Sequence, residues 1–100
     1  MPANTRSDSR TMSITHTEFL RSLKPLKHHY QVAVSDTGKR VEISDQKLSV
    51  VLQLGSEKAV KLGSLTTPST QVEFTSRYAD DHEMELFWSR FDLCFRRGGG

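Results

Sequence analysis

The last twenty-one residues, 80–100, constrain the fold most, because they have the pattern of one amphipathic helix with marked ends. At about 100° per residue, six apolar residues fall within roughly a 120° arc, which predicts one buried, aromatic-rich face. Asp80 followed by Glu83 has the spacing of a capping box, and two arginines precede Gly98 at the other end. The residues of the predicted buried face are Met84, Phe87, Trp88, Phe91, Cys94 and Phe95.

Leu86 and Leu93 lie one heptad apart on the opposite side of this helix, where a surface helix is normally polar. Arg90 and Arg97 flank them. A leucine ridge with a charged border is typical of a contact with a protein partner or a second copy of the chain. The alternatives are two ordinary exposed leucines or leucines covered by a neighbouring loop.

Length and composition limit the classes of protein. A chain of 100 residues is one domain, and its net charge of +2 is too small to indicate a polyanion partner by itself. Cys94 is the single cysteine, which excludes an internal disulfide and favours a reducing compartment. The sequence contains no run approaching the roughly 18 apolar residues of a membrane span. These features predict a cytoplasmic protein with no membrane contact.

The N-terminal residues 1–12 are mostly polar, with no large apolar residue between Met1 and Met12, and this composition predicts a disordered arm. A single folded domain is expected over residues 13–97, followed by a flexible glycine tail at 98–100. Thr15 and Glu18 have the capping-box spacing, so a first helix should begin at Thr15 and end near Lys24, ahead of Pro25.

Between the two helices the apolar residues alternate with a period of two, which predicts strands of an antiparallel sheet. Turns are expected at residues 36–39, 44–46 and 55–58, and a longer loop at 63–70. The order of elements predicts an α+β two-layer sandwich, a five-stranded antiparallel meander with the N-terminal and C-terminal helices packed on one face. The predicted strands lie at residues 30–35, 41–43, 48–54, 60–62 and 72–74.

A local basic cluster at residues 21–29 follows the first helix, in a stretch without acids between Phe19 and Ser35. Such a cluster can bind the phosphates of a nucleic acid, another anionic ligand or an acidic protein surface. The alternative is that cations favour a helix C-terminus and solvate its rim. The cluster contains Arg21, Lys24, Lys27, His28 and His29.

No residue set has the pattern of a catalytic, cofactor or metal site. The four histidines lack the spacing of zinc ligands, and Cys94 belongs to the predicted buried face, where a thiol is inert. A nucleophile elbow, a phosphate loop and a dinucleotide fingerprint are all missing. The acids at residues 80–85 are explained by capping and the helix dipole. We therefore expect no enzyme activity, no cofactor and no metal.

The C-terminal segment Arg96-Arg97-Gly98-Gly99-Gly100 resembles the tails of ubiquitin-like and sulfur-carrier proteins, which end in two glycines. That resemblance implies a carrier role with the carboxylate of Gly100 as acceptor. In that family the tail leaves a β-grasp fold from a strand, whereas here a helix precedes it.

The sequence thus predicts a small, non-catalytic module that binds a protein or associates with itself. The alternatives are binding of a nucleic acid or anionic ligand through residues 21–29, and a carrier role for the glycine tail. Aromatic side chains between helices and sheet could also line a ligand cavity.

Overall fold

The computed structural model describes residues 4–96 and shows a five-stranded antiparallel sheet with two α-helices. The α+β class predicted from the sequence is therefore confirmed. In chain order, the elements are β1 (Asn4–Met12), α1 (His16–Ser22), a 3₁₀ helix (Lys24–His28), β2 (Gln31–Val34), β3 (Arg40–Ser44), β4 (Leu48–Leu62), β5 (Leu65–Tyr78) and α2 (Asp81–Cys94).

The strand order in the sheet is β1-β5-β4-β3-β2. Strands β2 to β5 follow one another as a meander. The first strand of the chain, β1, pairs with the last one, β5, at the edge opposite β2. The first and second strands of the chain are therefore the two edges of the sheet, and α1 with the 3₁₀ helix connects them.

Residues 4–12 correct the expectation of a disordered arm over residues 1–12, because they form β1 along residues 70–78 of β5. Charged side chains occupy the positions that would normally be apolar. The Arg10 guanidinium lies 4.3 Å from the centroid of the Trp88 ring and 2.8 Å from the Asp92 carboxylate. An arginine can cover apolar surface with its aliphatic stem while its charge stays near water. Arg10 therefore takes the place of an apolar residue, and the sequence of β1 shows no alternation of apolar residues.

Strands β4 and β5 form one long hairpin, so the predicted turn at 55–58 and loop at 63–70 are wrong. A bulge between Leu54 and Glu57 lets β4 continue, and Gly63, at φ +63°, makes the turn. The neighbouring strands β1 and β3 pair only with the half of this hairpin that is far from its turn. Residues 57–62 and 65–69 thus form a free two-stranded ribbon, where a proline is tolerated because no third strand needs its N–H.

Both predicted helix caps are confirmed. The Thr15 hydroxyl accepts a hydrogen bond from the Glu18 backbone N–H at 3.1 Å, and the Asp80 carboxylate accepts one from the Glu83 N–H at 3.0 Å. Helix α1 ends at Ser22, two residues earlier than predicted, because the segment with the proline continues as a 3₁₀ helix.

The core is an aromatic cluster to which α1, β5 and α2 each contribute. Phe91 of α2 is fully buried, with its ring centroid 6.3 Å from that of Phe19 and 5.3 Å from that of Phe74. On the predicted buried face of α2, Met84, Phe87 and Phe91 are buried, and the other members are partly buried against the same core. These aromatic rings contact one another and fill the core. The sequence also allowed them to line a ligand cavity between the helices and the sheet.

Candidate functional site

A groove of about 410 Å³ lies between α1, the 3₁₀ helix and the edge strand β2. Its floor is apolar and its rim is basic. Val34, at the outer end of the floor, is 47% exposed, although its cross-strand partner Val41 is fully buried. The lining residues are Thr17, Leu20, Arg21, Leu23, Lys24, Lys27, Val32 and Val34.

Helical and strand periodicities bring these side chains together. Positions 17, 20, 21 and 24 are three and four residues apart, so they lie on one face of the helical segment. Val32 and Val34 are two residues apart and therefore lie on the same face of β2. The turn between β2 and β3 borders the groove, since a β-carbon added to Gly38 would lie 3.5 Å from Leu20 Cδ1.

Positive charge dominates the rim. Arg21, Lys24 and Lys27 are all exposed, and among the groove-lining residues of the described range 4–96 none is acidic. Within that same range, none of these three cations forms an ion pair with a carboxylate. The groove therefore presents positive charge beside an apolar floor.

The predicted basic cluster is divided by the structure. Arg21, Lys24 and Lys27 meet at the groove, whereas His28 is exposed at the end of the 3₁₀ helix. His29 does not line the groove. It lines a second hollow of about 450 Å³ together with Lys27, and a smaller one of about 160 Å³ together with Leu93 on α2. The spacing of basic residues along the sequence indicated the three groove cations. It did not indicate that Val32 and Val34 of β2 would form the other side of the groove.

The predicted leucine interface on α2 is also divided. Leu93 is 58% exposed, whereas Leu86 is half-buried beside the turn between β3 and β4. Arg90 lies between them and donates a hydrogen bond to the Tyr30 hydroxyl at 3.2 Å. Arg97, the fourth predicted interface residue, lies outside the described residues, as does the glycine tail of 98–100.

Two titratable groups on this side of the molecule are shifted by burial. Burial raises the pKa of the Cys94 thiol, although a backbone hydrogen bond with Leu26 opposes the shift. Burial also raises the pKa of the Tyr30 phenol, against the hydrogen bond and positive charge of Arg90. Both side chains are therefore neutral at physiological pH, and a neutral thiol is a poor nucleophile.

Within residues 4–96, no three His, Cys, Asp or Glu side chains lie close enough together to hold a metal ion. In the same range, neither α-helix is long and apolar enough to cross a membrane. The sequence patterns did not predict the second exposed apolar surface, the end of the ribbon, where Leu62 and Leu65 are 61% and 67% exposed.

Comparison of the sequence with models of known protein families and with curated, characterised proteins gave no match. The groove is therefore interpreted from its own geometry and charge.

Proposed function

We propose that this protein is a non-catalytic binding module that holds an acidic segment of a partner protein in the groove between α1 and β2. The scaffold for this site is a two-layer sandwich in which both helices pack on one face of the sheet. One observation supports the proposal most strongly: an apolar floor lines the same open groove as three cations that form no ion pair with a carboxylate of residues 4–96.

Magnitudes favour a protein segment over a nucleic acid. Exposed charge pairs contribute about 0.5 kcal/mol each, so three cations supply about 1.5 kcal/mol. Even millimolar affinity requires about 4.1 kcal/mol. The remainder must come from contacts with the apolar floor of Leu20, Val32 and Val34, which a phosphate backbone cannot make. A partner with both acidic and apolar side chains uses the whole groove.

The proposal includes a cytoplasmic location, supported by the single cysteine of the sequence, which allows no internal disulfide.

A random 12-residue peptide library displayed on phage tests the proposal. Binders are selected on the intact protein and counted again on a variant carrying Arg21→Gln, Lys24→Gln and Lys27→Gln. Selected peptides should be enriched in both acidic and apolar residues, and synthetic versions should bind this variant about tenfold more weakly, as expected for a loss of about 1.5 kcal/mol.

The matched control removes three positive charges elsewhere, through Lys58→Gln, Lys61→Gln and Arg77→Gln, and should retain affinity within about twofold. Failure to enrich any peptide, or equal loss in both triple variants, would contradict the proposal. A labelled random DNA duplex that binds more tightly than every selected peptide would favour the nucleic-acid alternative instead.

A further inference from the structure

We infer that the bound segment adds to β2 as a sixth strand of the sheet, so the partner is an extended acidic segment rather than a helix. This inference rests on the proposed function, because it places the segment in the same groove. It specifies how the backbone of the partner is recognised.

The hydrogen bonding of the β2–β3 hairpin shows which backbone groups of β2 face outward. The Ser35 N–H donates to the Arg40 carbonyl at 2.9 Å, so this pair is hydrogen-bonded. Bonded and non-bonded pairs alternate in an antiparallel ladder. Ala33 and Gln31 therefore bond with β3, in register with Glu42 and Ser44.

Val32 and Val34 are the alternate residues, so their backbone N–H and C=O groups point away from β3. The bonding on the other side of β3 agrees, because the Leu54 N–H donates to the Lys39 carbonyl at 2.7 Å. It follows that the backbone N–H and C=O groups of odd-numbered residues in β3 point toward β4, and those of even-numbered residues point toward β2. The open edge thus offers two donors and two acceptors beside the groove.

The side chains of the same two residues form part of the groove floor. A strand added to this edge would place every second side chain in the groove, between β2 and the basic rim. Apolar side chains fit the central positions over Val32 and Val34. Acidic side chains fit the flanking positions, within reach of Arg21, Lys24 and Lys27.

The size of the edge limits the length of the segment. Four residues of β2 span about 13 Å at about 3.3 Å each. The Gly38 turn borders one end beside Leu20, and at the other end the Tyr30 N–H is bonded to the Leu26 carbonyl at 2.9 Å. The recognised core is therefore about four or five residues long.

The opposite edge strand is less suited to strand addition. Proteins protect exposed edges by placing charged side chains along them, pointing toward the core side. β1 carries Arg6, Asp8 and Arg10 at its alternate positions, in register with residues 76, 74 and 72 of the buried face of β5. β2 has only the uncharged residues Gln-Val-Ala-Val, so its edge carries no protecting charge.

The test uses acidic peptides selected on the intact protein, resynthesised with one backbone N-methyl group at each position in turn. An added strand uses only every second amide, so affinity should fall at least about tenfold at alternate positions and stay within about twofold at the others. Because the protein is unmodified, this scan gives an answer regardless of how variants fold.

A protein variant tests the same contact from the other side. Val34→Pro removes an outward N–H and leaves the bonds to β3 in place, so the edge strand tolerates it. It should weaken binding at least about tenfold, whereas the matched Val34→Ala variant, which only trims the floor, should lose about threefold. Circular dichroism and urea unfolding check that both variants fold.

Outcomes separate the two proposals. Loss of affinity at alternate N-methyl positions supports strand addition. An N-methyl scan without a period of two, or one that weakens binding at no position, would overturn it. If those same peptides still require Arg21, Lys24 and Lys27, the groove remains the binding site and only the strand geometry is wrong. If no peptide binds the groove at all, the proposed function fails first.

Discussion

Arg10 connects β1 to α2, so replacing it tests whether the N-terminal segment is part of the folded domain. Its guanidinium lies 4.3 Å from the Trp88 ring centroid and 5.7 Å from that of Phe91. It also forms an ion pair with Asp92 at 2.8 Å, with the two side chains 40% and 57% exposed. Arg10→Ala removes the contacts with the aromatic rings and the ion pair together.

The expected loss follows from these contacts. A cation over an aromatic ring at a partly exposed site contributes about 1 kcal/mol. An exposed ion pair adds about 0.5 kcal/mol. Arg10→Ala should therefore lower the free energy of unfolding by about 1.5 kcal/mol, which corresponds to a fall in Tm of about 6–12 °C for a domain of this size.

Urea unfolding followed by tryptophan fluorescence is the assay, since Trp88 is the only tryptophan. The native emission of Arg10→Ala should also shift to longer wavelength as the ring becomes more hydrated. Arg40→Ala is the matched control, because within residues 4–96 Arg40 forms an ion pair only with Glu42 of its own strand, at 3.5 Å. Both side chains are about half exposed, so this variant should lose about 0.3 kcal/mol. Equal stabilities of the two variants, with unchanged emission, would refute the docking of β1 on α2.

Three further predictions concern the side of the molecule near Arg90. Leu93→Lys should change the free energy of unfolding by less than about 0.5 kcal/mol and leave peptide binding unchanged, because Leu93 is exposed; urea unfolding and peptide titration check this. Cys94 should react with iodoacetamide more slowly at pH 8 than in urea-unfolded protein, since burial raises the pKa of its thiol above the ordinary value; equal rates would contradict this. Burial raises the pKa of Tyr30 above 10.0 in the folded state, so its contribution to stability is full below pH 10 and is lost as pH rises through the folded value. The stability difference between wild type and Tyr30→Phe, from urea unfolding, should therefore be constant below pH 10 and shrink as pH rises above it, whereas a constant difference at all pH values would contradict the burial effect.

Local signals predicted the two α-helices well. Thr15 and Asp80 were identified as caps by the residue three positions later, and both make the expected hydrogen bond. These contacts depend only on neighbouring residues, so a single sequence contains the necessary information. The buried face of α2 was predictable for the same reason, because its period of 3.6 residues is a local property.

The outer strands were harder to predict because long-range contacts define them. β1 has no apolar alternation that would mark it as a strand. Its Arg10 packs on α2 through contacts with Trp88 and Asp92, which are about eighty residues away in the sequence. Val60 and Leu62 were expected to return to the core after a turn. The hairpin instead extends beyond both neighbouring strands, so residues 56–62 are exposed on both faces.

The candidate site was predictable in part. The acid-free stretch indicated Arg21, Lys24 and Lys27 as an anion-binding cluster, and the structure brings these three together. Val32 and Val34 were predicted as ordinary members of a buried strand face. Their place at an open edge depends on β2 being the last strand in the sheet, which no local pattern encodes.

Hydrogen exchange at the open edge of β2 tests the central claim most directly. Two-dimensional NMR of the intact protein, with and without a saturating selected peptide, reports each amide separately. Strand addition predicts that exchange of the Val32 and Val34 amides slows at least about tenfold, while the Ala33 amide, already bonded to β3, changes little. Unchanged exchange at both valines with the peptide bound would contradict the account.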